Sequence, residues 1–182
     1  MAIFSHRLLA GLVLAAALVW MLFSRVPPQA NSAFALPAPQ KGFTAPNFTL
    51  ETTDGETITL AALRGQAVIL NFWASWCPPC RAEMPTLQAL HERYGADLVL
   101  LGINASTQDN LPKAYQLIAE LNLTFPILLD SSGAVVRAYR VFSLPTTFFI
   151  DRQGVIREVV VGGPLSEAGL RARLEPLLQG TP

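Results

Sequence analysis

The chain has 182 residues, enough for one domain with a sizeable core and some chain to spare. Charged residues make up 14%, against roughly 25% in ordinary soluble domains, and 13 basic side chains cancel 13 acidic ones, so neither a nucleic-acid partner nor a broadly cationic membrane patch is indicated. Two cysteines are too few for a disulfide framework or, alone, for a four-ligand zinc site, and with only His6 and His91 in the chain a histidine-built metal catalyst is excluded.

In chain order, the first feature is the apolar run 8–23, LLAGLVLAAALVWMLF, which carries no charged or strongly polar side chain. As a helix it would be about 24 Å long, a little short of a hydrocarbon core of roughly 30 Å. Ile3 and Phe4 extend it, Arg7 and Arg25 can snorkel to opposite interfaces, and Trp20 and Phe23 suit the outer aromatic belt. A cleaved signal peptide is the competing reading. Its small-x-small site, Ala33-Phe34-Ala35, lies well past the run, with Arg25, Pro27 and Pro28 between. The expectation is an uncleaved single-pass anchor over 1–25 with a cytoplasmic N-terminus, a Pro/Ala-rich linker over 26–42, and an extracytoplasmic domain over 43–180.

Within that domain FTL and TITL flank TTDGE, where Asp54-Gly55 reads as a hairpin turn. Residues 67–73, AVILNFW, form a continuous apolar run of the kind buried on both faces of a sheet. A helix is predicted from Pro78 to Tyr94, with Leu87, Leu90 and Tyr94 on one face and Gly95 at its end. His91 is expected on its surface. A second buried strand spans 97–104. A helix follows over 111–121, with Pro112 in its first turn and Leu111, Tyr115, Ile118 and Leu121 as its apolar stripe. FPILLD (125–130) reads as a strand and GAVVRAYRV as a short helix. TTFFID (146–151) and VIREVVV (155–161) read as strands joined by a turn at Arg152-Gln153-Gly154. A last helix covers 166–179, with Ser166 as N-cap and Pro176 interrupting it. The order implies one α/β domain with its sheet covered on both faces.

Both sulfurs lie in FWASWCPPCRAEMP, residues 72–85. A cysteine at a helix start has its sulfur near unbonded N–H groups and the positive end of the helix dipole, which favours thiolate over thiol. Pro78 suits the first helical position because it has no N–H to leave unbonded. Cys80, three residues on, falls on the same face as Cys77, so a Cys77–Cys80 disulfide can close with little backbone movement. So small a ring stabilises little, and the pair reads as reactive. Cys77 is expected as the exposed attacking thiolate and Cys80 as the resolving thiol, with Trp73 and Trp76 walling the site.

The strand followed by FWASWCPPC resembles the active site of the thioredoxin superfamily. Together with APNFTL, NFWASWCPPCRAEMP, GIN, FPILLD and LPTTFFID it is similar to the membrane-tethered ResA/TlpA-like branch, which overlaps the AhpC/TSA redoxin grouping. That resemblance implies a thioredoxin-like fold: a central mixed β-sheet flanked by helices, with an N-terminal β-hairpin extension and a central αβ insertion. It also implies that Pro145 is a cis-proline facing the cysteines, that Leu144 and Pro145 join Trp76, Pro78 and Pro79 in holding a substrate peptide, and that Glu83 tunes the thiols or carries protons. A solvated first-turn carboxylate is the other reading of Glu83.

Two departures matter. Cytoplasmic thioredoxins carry a buried aspartate where this chain has Asn71, and an amide cannot act as a general base. Ser143-Leu144-Pro145-Thr146 replaces the Gly-x-Pro-Glu of the cytochrome c maturation branch. The implied activity is thiol-disulfide exchange without a cofactor or metal, reducing extracytoplasmic proteins such as apocytochrome c or copper-site assembly proteins. A membrane donor of the CcdA/DsbD type would supply electrons. A Cu(I) metallochaperone using both thiolates, with Met84 nearby, is the alternative. A peroxidase of the peroxiredoxin kind is poorly supported, since Ala74 and Leu70 stand where its Thr/Ser and Pro are required.

Overall fold

The computed structural model describes Trp20, residues 37–95 and residues 97–179. The expected anchor, apart from Trp20, and residues 26–36 of the expected linker lie outside the described residues. Among the described residues no helix is long and apolar enough to cross a membrane.

A short antiparallel hairpin comes first, β1 (Thr49–Glu51) with β2 (Thr57–Thr59). Its turn closes by Thr52 N–H to Glu56 O at 2.8 Å, and Gly55 takes a φ of +85° that side chains other than glycine rarely adopt. The other strands are β3 (Ala67–Trp73), β4 (Leu98–Asn104), β5 (Ile127–Leu129), β6 (Thr146–Ile150) and β7 (Ile156–Val161). They form one sheet in the order β5-β4-β3-β6-β7. β3 pairs parallel with β4 and antiparallel with β6, which makes the sheet mixed. All seven residues of β3 are buried, as its apolar character predicts, the one polar side chain, Asn71, included.

The helices are α1 (Pro78–Tyr94), α2 (Leu111–Glu120), α3 (Ala134–Ala138) and α4 (Glu167–Leu178). Side chains of β3 alternate between two cores. Ile69 and Trp73 join Cys80, Met84, Leu87 and Leu90 of α1 and Leu170 and Leu174 of α4. Val68, Leu70 and Phe72 join Phe48, Tyr139 and Phe148 in the second. Buried aliphatic and aromatic side chains contribute about 1.5–3 kcal/mol each, so β3 anchors both layers. The unit α2–β5 is the central insertion and supplies the edge strand beside β4. The hairpin extension is tied to it by Thr53 N–H to Ile127 O at 2.9 Å.

Four local expectations need correction. The stripe of α2 is centred on the buried Ala114 and Leu117, with Ile118 and Leu121 packed beside them as expected, while Tyr115 is exposed, because the small Ala114 lets the helix approach the core and the Tyr115 ring stays in water. The helix over 167–178 runs through Pro176 without interruption. His91 is half-buried, its ring edge-on to Phe125 at 6.2 Å, because the strand β5 region folds over the end of α1. Trp73 borders the sulfurs only from within: as the last residue of a central strand it is fully buried in the cluster that holds Cys77 and Cys80, and of these two tryptophans Trp76 alone is exposed.

Candidate active site

Cys77 is the N-cap of α1, with the extended φ of −87° and ψ of 106° typical of that position. Pro78 and Pro79 follow, and neither has an N–H to donate. The first backbone donor of the helix is therefore that of Cys80, and it points at Cys77 Sγ at 3.3 Å. The proline pair thus concentrates the helix start on one sulfur. Cys77 and Cys80 form the expected disulfide, with Cα atoms 5.3 Å apart.

Cys77 is not exposed as expected. Only 2% of its surface is accessible, and none of Cys80's. Both sulfurs belong to the apolar cluster of Trp73, Ala74 and Met84, against which Leu144 packs. The order of access is as expected, with Cys77 the outer of the two. Met84 is a buried core side chain. Pro78 is exposed and Pro79 half-buried. Trp76 is exposed and donates its indole N–H to Gln108 O at 2.7 Å. It lines a groove of about 510 Å³ together with Ala105, Gln108, Phe142, Ser143 and Leu144.

The peptide bond Leu144-Pro145 is cis. Pro145 is buried and its carbonyl accepts the Gly162 N–H at 2.8 Å. Beyond it, Gly162-Gly163-Pro164-Leu165 joins β7 to α4 and passes between Pro145 and Glu83. A Cβ on Gly163 would lie 2.7 Å from both Glu83 Oε2 and Pro145 Cγ.

Glu83 is fully buried, which overturns its reading as a solvated first-turn carboxylate. Its Oε1 accepts from Asn71 Nδ2 at 2.8 Å and its Oε2 from the Leu165 N–H at 3.0 Å. Asn71 Nδ2 also donates to Thr147 Oγ1 at 3.0 Å, across the β3–β6 pair in which Asn71 and Thr147 are Cα partners. Burial pushes the Glu83 carboxyl above its ordinary range, and the Leu165 and Asn71 donors only partly oppose this. No cation pairs with it among the described residues. Asn71, read from the sequence only as a missing base, is one of the two donors that hold this carboxylate.

Sequence reasoning missed Thr147, the Gly163–Leu165 segment and Asp109, whose carboxylate grips Ser75 two residues before Cys77. Only Gly162-Gly163-Pro164 carried a signal, as punctuation between a strand and a helix.

Comparison with known proteins agrees with this geometry. The model of the AhpC/TSA family matches residues 42–159. The thioredoxin-like protein YneN of Bacillus subtilis is 41% identical over 124 residues, which cover 68% of this chain and 72% of that protein. The thiol-disulfide oxidoreductase ResA of Oceanobacillus iheyensis is 37% identical over 158 residues, covering 83% and 77%. The crystal structure of StoA from Bacillus subtilis superposes with a TM-score of 0.64 at 31% identity, covering 78% of this chain and 99% of that one. This chain belongs to the AhpC/TSA family, and it is a thioredoxin-fold thiol-disulfide oxidoreductase of the ResA/StoA type.

Proposed function

We propose that the protein is held at the outer face of a cell membrane by its N-terminal apolar run and reduces disulfides in selected extracytoplasmic proteins. The observation that carries the direction of attack is the helix start: with Pro78 and Pro79 silent, the Cys80 N–H is aimed at Cys77 Sγ. That donor and the helix dipole stabilise negative charge on Cys77. The Cys77 thiolate attacks one sulfur of the substrate disulfide, and the other substrate sulfur leaves as a thiolate. Cys80 then attacks Cys77 Sγ, releasing the second substrate sulfur and closing the Cys77–Cys80 disulfide. Two electrons pass to the substrate, and the two protons of the dithiol end on its thiols.

Glu83 is the buried carboxylate able to hold one of those protons inside the apolar cluster. Trp76 and Leu144 line the groove where the substrate backbone lies, the buried Pro145 fixes the backbone next to Leu144, and exposed Pro78 and half-buried Pro79 flank the sulfur. Apocytochrome c and copper-site assembly proteins are suitable substrates. The disulfide formed in each turnover requires a reductant, for which a membrane donor of the CcdA/DsbD type is the fitting class. The names of the relatives support the chemistry, and the 8–23 run supports the tether.

Trapping tests this reading. In membranes of cells expressing the Cys80→Ser variant, disulfide-linked adducts through Cys77 are expected, and they should vanish in Cys77→Ser. Absence of adducts from both would refute the assignment.

A further inference from the structure

The loop that follows β4 is fastened to the segment that leads into Cys77. Asp109 Oδ2 accepts the Ser75 N–H at 2.7 Å, and its Oδ1 accepts the Ser75 hydroxyl. The same carboxylate takes Asn104 Nδ2 at 2.7 Å and the Asn110 N–H at 2.8 Å. Asn104 is fully buried at the end of β4, in register with Trp73 at the end of β3. A chain of contacts therefore runs from the sheet through Asn104 and Asp109 to Ser75, and one residue further Trp76 is held by Gln108 O. Four donors converge on two oxygens, an arrangement that a carboxylate satisfies and an amide, with one acceptor oxygen, does not. Among the described residues no ion pair engages Asp109, so its role is in these hydrogen bonds.

We propose that Asp109 is a positioning residue for the dithiol reaction, holding residues 74–76 so that Cys77 keeps its N-cap geometry when the disulfide is open. In the oxidised form the bond to Cys80 fixes Cys77 by itself. In the reduced form that bond is gone. Cys77 is then held by two backbone bonds, its N–H to Ala74 O and the Arg81 N–H to its own carbonyl, both at 3.1 Å, and by the Asp109 grip on Ser75. Loosening the grip moves the sulfur off the Cys80 N–H and costs it thiolate character. The inference rests on Cys77 being the attacking sulfur.

The test follows the alkylation rate of the reduced full chain against pH, with the modified cysteine located by mass spectrometry. Asp109→Asn should raise the Cys77 midpoint by about half a pH unit, which is about threefold less thiolate at any pH below it. It should also alter the emission of Trp76. A folded Asp109→Asn with the wild-type midpoint overturns the proposal, even if it melts earlier, since a purely structural role would lower stability alone. Should that variant fail to fold, Ser75→Ala removes only the hydroxyl arm. A smaller rise in the same direction then supports the proposal, and an unchanged midpoint overturns it. Alkylation of wild type at Cys80 in place of Cys77 would instead overturn the assignment of the attacking sulfur, and the proposal with it.

Discussion

Replacing Gly163 by alanine puts a methyl group 2.7 Å from Glu83 Oε2 and 2.7 Å from Pro145 Cγ. Favourable carbon contacts lie at about 3.5–4.0 Å, so both neighbours stand roughly 1 Å too close. Neither yields freely. Glu83 is tied on one oxygen to Asn71 and on the other to Leu165, and the carbonyl of Pro145 is tied to Gly162. The φ of Gly163 lies outside the left-handed region, so alanine brings the usual gain of about 0.4–1 kcal/mol from a stiffer unfolded chain. Against it stand overpacking, at about 1–3 kcal/mol, and loss of the Leu165 bond to a buried carboxylate, at about 1–3 kcal/mol. The net loss is about 3 kcal/mol, or a fall in Tm of about 6–12 °C.

Urea unfolding of the oxidised protein measures this, with Gly162→Ala as the control. Gly162 has a φ of +88° and open space around its Cβ position, so alanine there costs about 1–2 kcal/mol of backbone strain and leaves Glu83 alone. Gly163→Ala should in addition push the Glu83 carboxyl further up, because it removes the Leu165 donor. A Gly163→Ala protein as stable as wild type, or one that loses stability without moving the Glu83 titration, would refute the reasoning.

Glu83 also sets a pH dependence. Its carboxyl titrates above its ordinary 4.5 in the folded protein, so the folded state binds the proton more tightly than the unfolded chain does. Stability therefore falls as pH rises from about 4.5 through the raised folded value; urea midpoints of Glu83→Gln should lack that fall, and its persistence would refute the assignment. The reduction potential of the Cys77–Cys80 couple, followed by Trp76 emission in defined thiol/disulfide buffers, should lie near or below about −220 mV for a dedicated reductant. A value above about −180 mV would make the protein an oxidant or isomerase, and the lack of a reversible two-electron couple would favour the Cu(I) reading.

Features set by local pattern were legible in the sequence. The buried run of β3, the Asp54-Gly55 turn, the Ser166 cap and the start of α1 at Pro78 each depend on a few consecutive residues. What surrounds the sulfurs was not. Glu83 meets Asn71 from 12 residues away and Leu165 from 82, and Asn71 meets Thr147 from 76. Those meetings follow from the β3–β6 register and from the path of the segment after β7, which no window of sequence contains. The misplaced stripe of α2 has the same origin. Tyr115 is apolar enough for the core, but the sheet's edge decided which side of the helix it met, and Ala114 and Leu117 are buried there beside Ile118.

The exchange of a strand carboxylate for Asn71 can now be understood from the geometry. A carboxylate buried without a cation is costly, by several kcal/mol when ionised, and here only two neutral donors offset that cost. An aspartate at 71 would set a second carboxylate about 3 Å from Glu83 and oblige one of the two to keep a proton. An amide avoids this conflict: its NH2 group donates to Glu83 Oε1 and to Thr147 without adding charge. The site thus holds one buried titratable carboxylate, carried by the same helix as Cys77 and Cys80. That carboxylate is tied to α1 by its own backbone and to the Gly163–Leu165 segment through the Leu165 N–H.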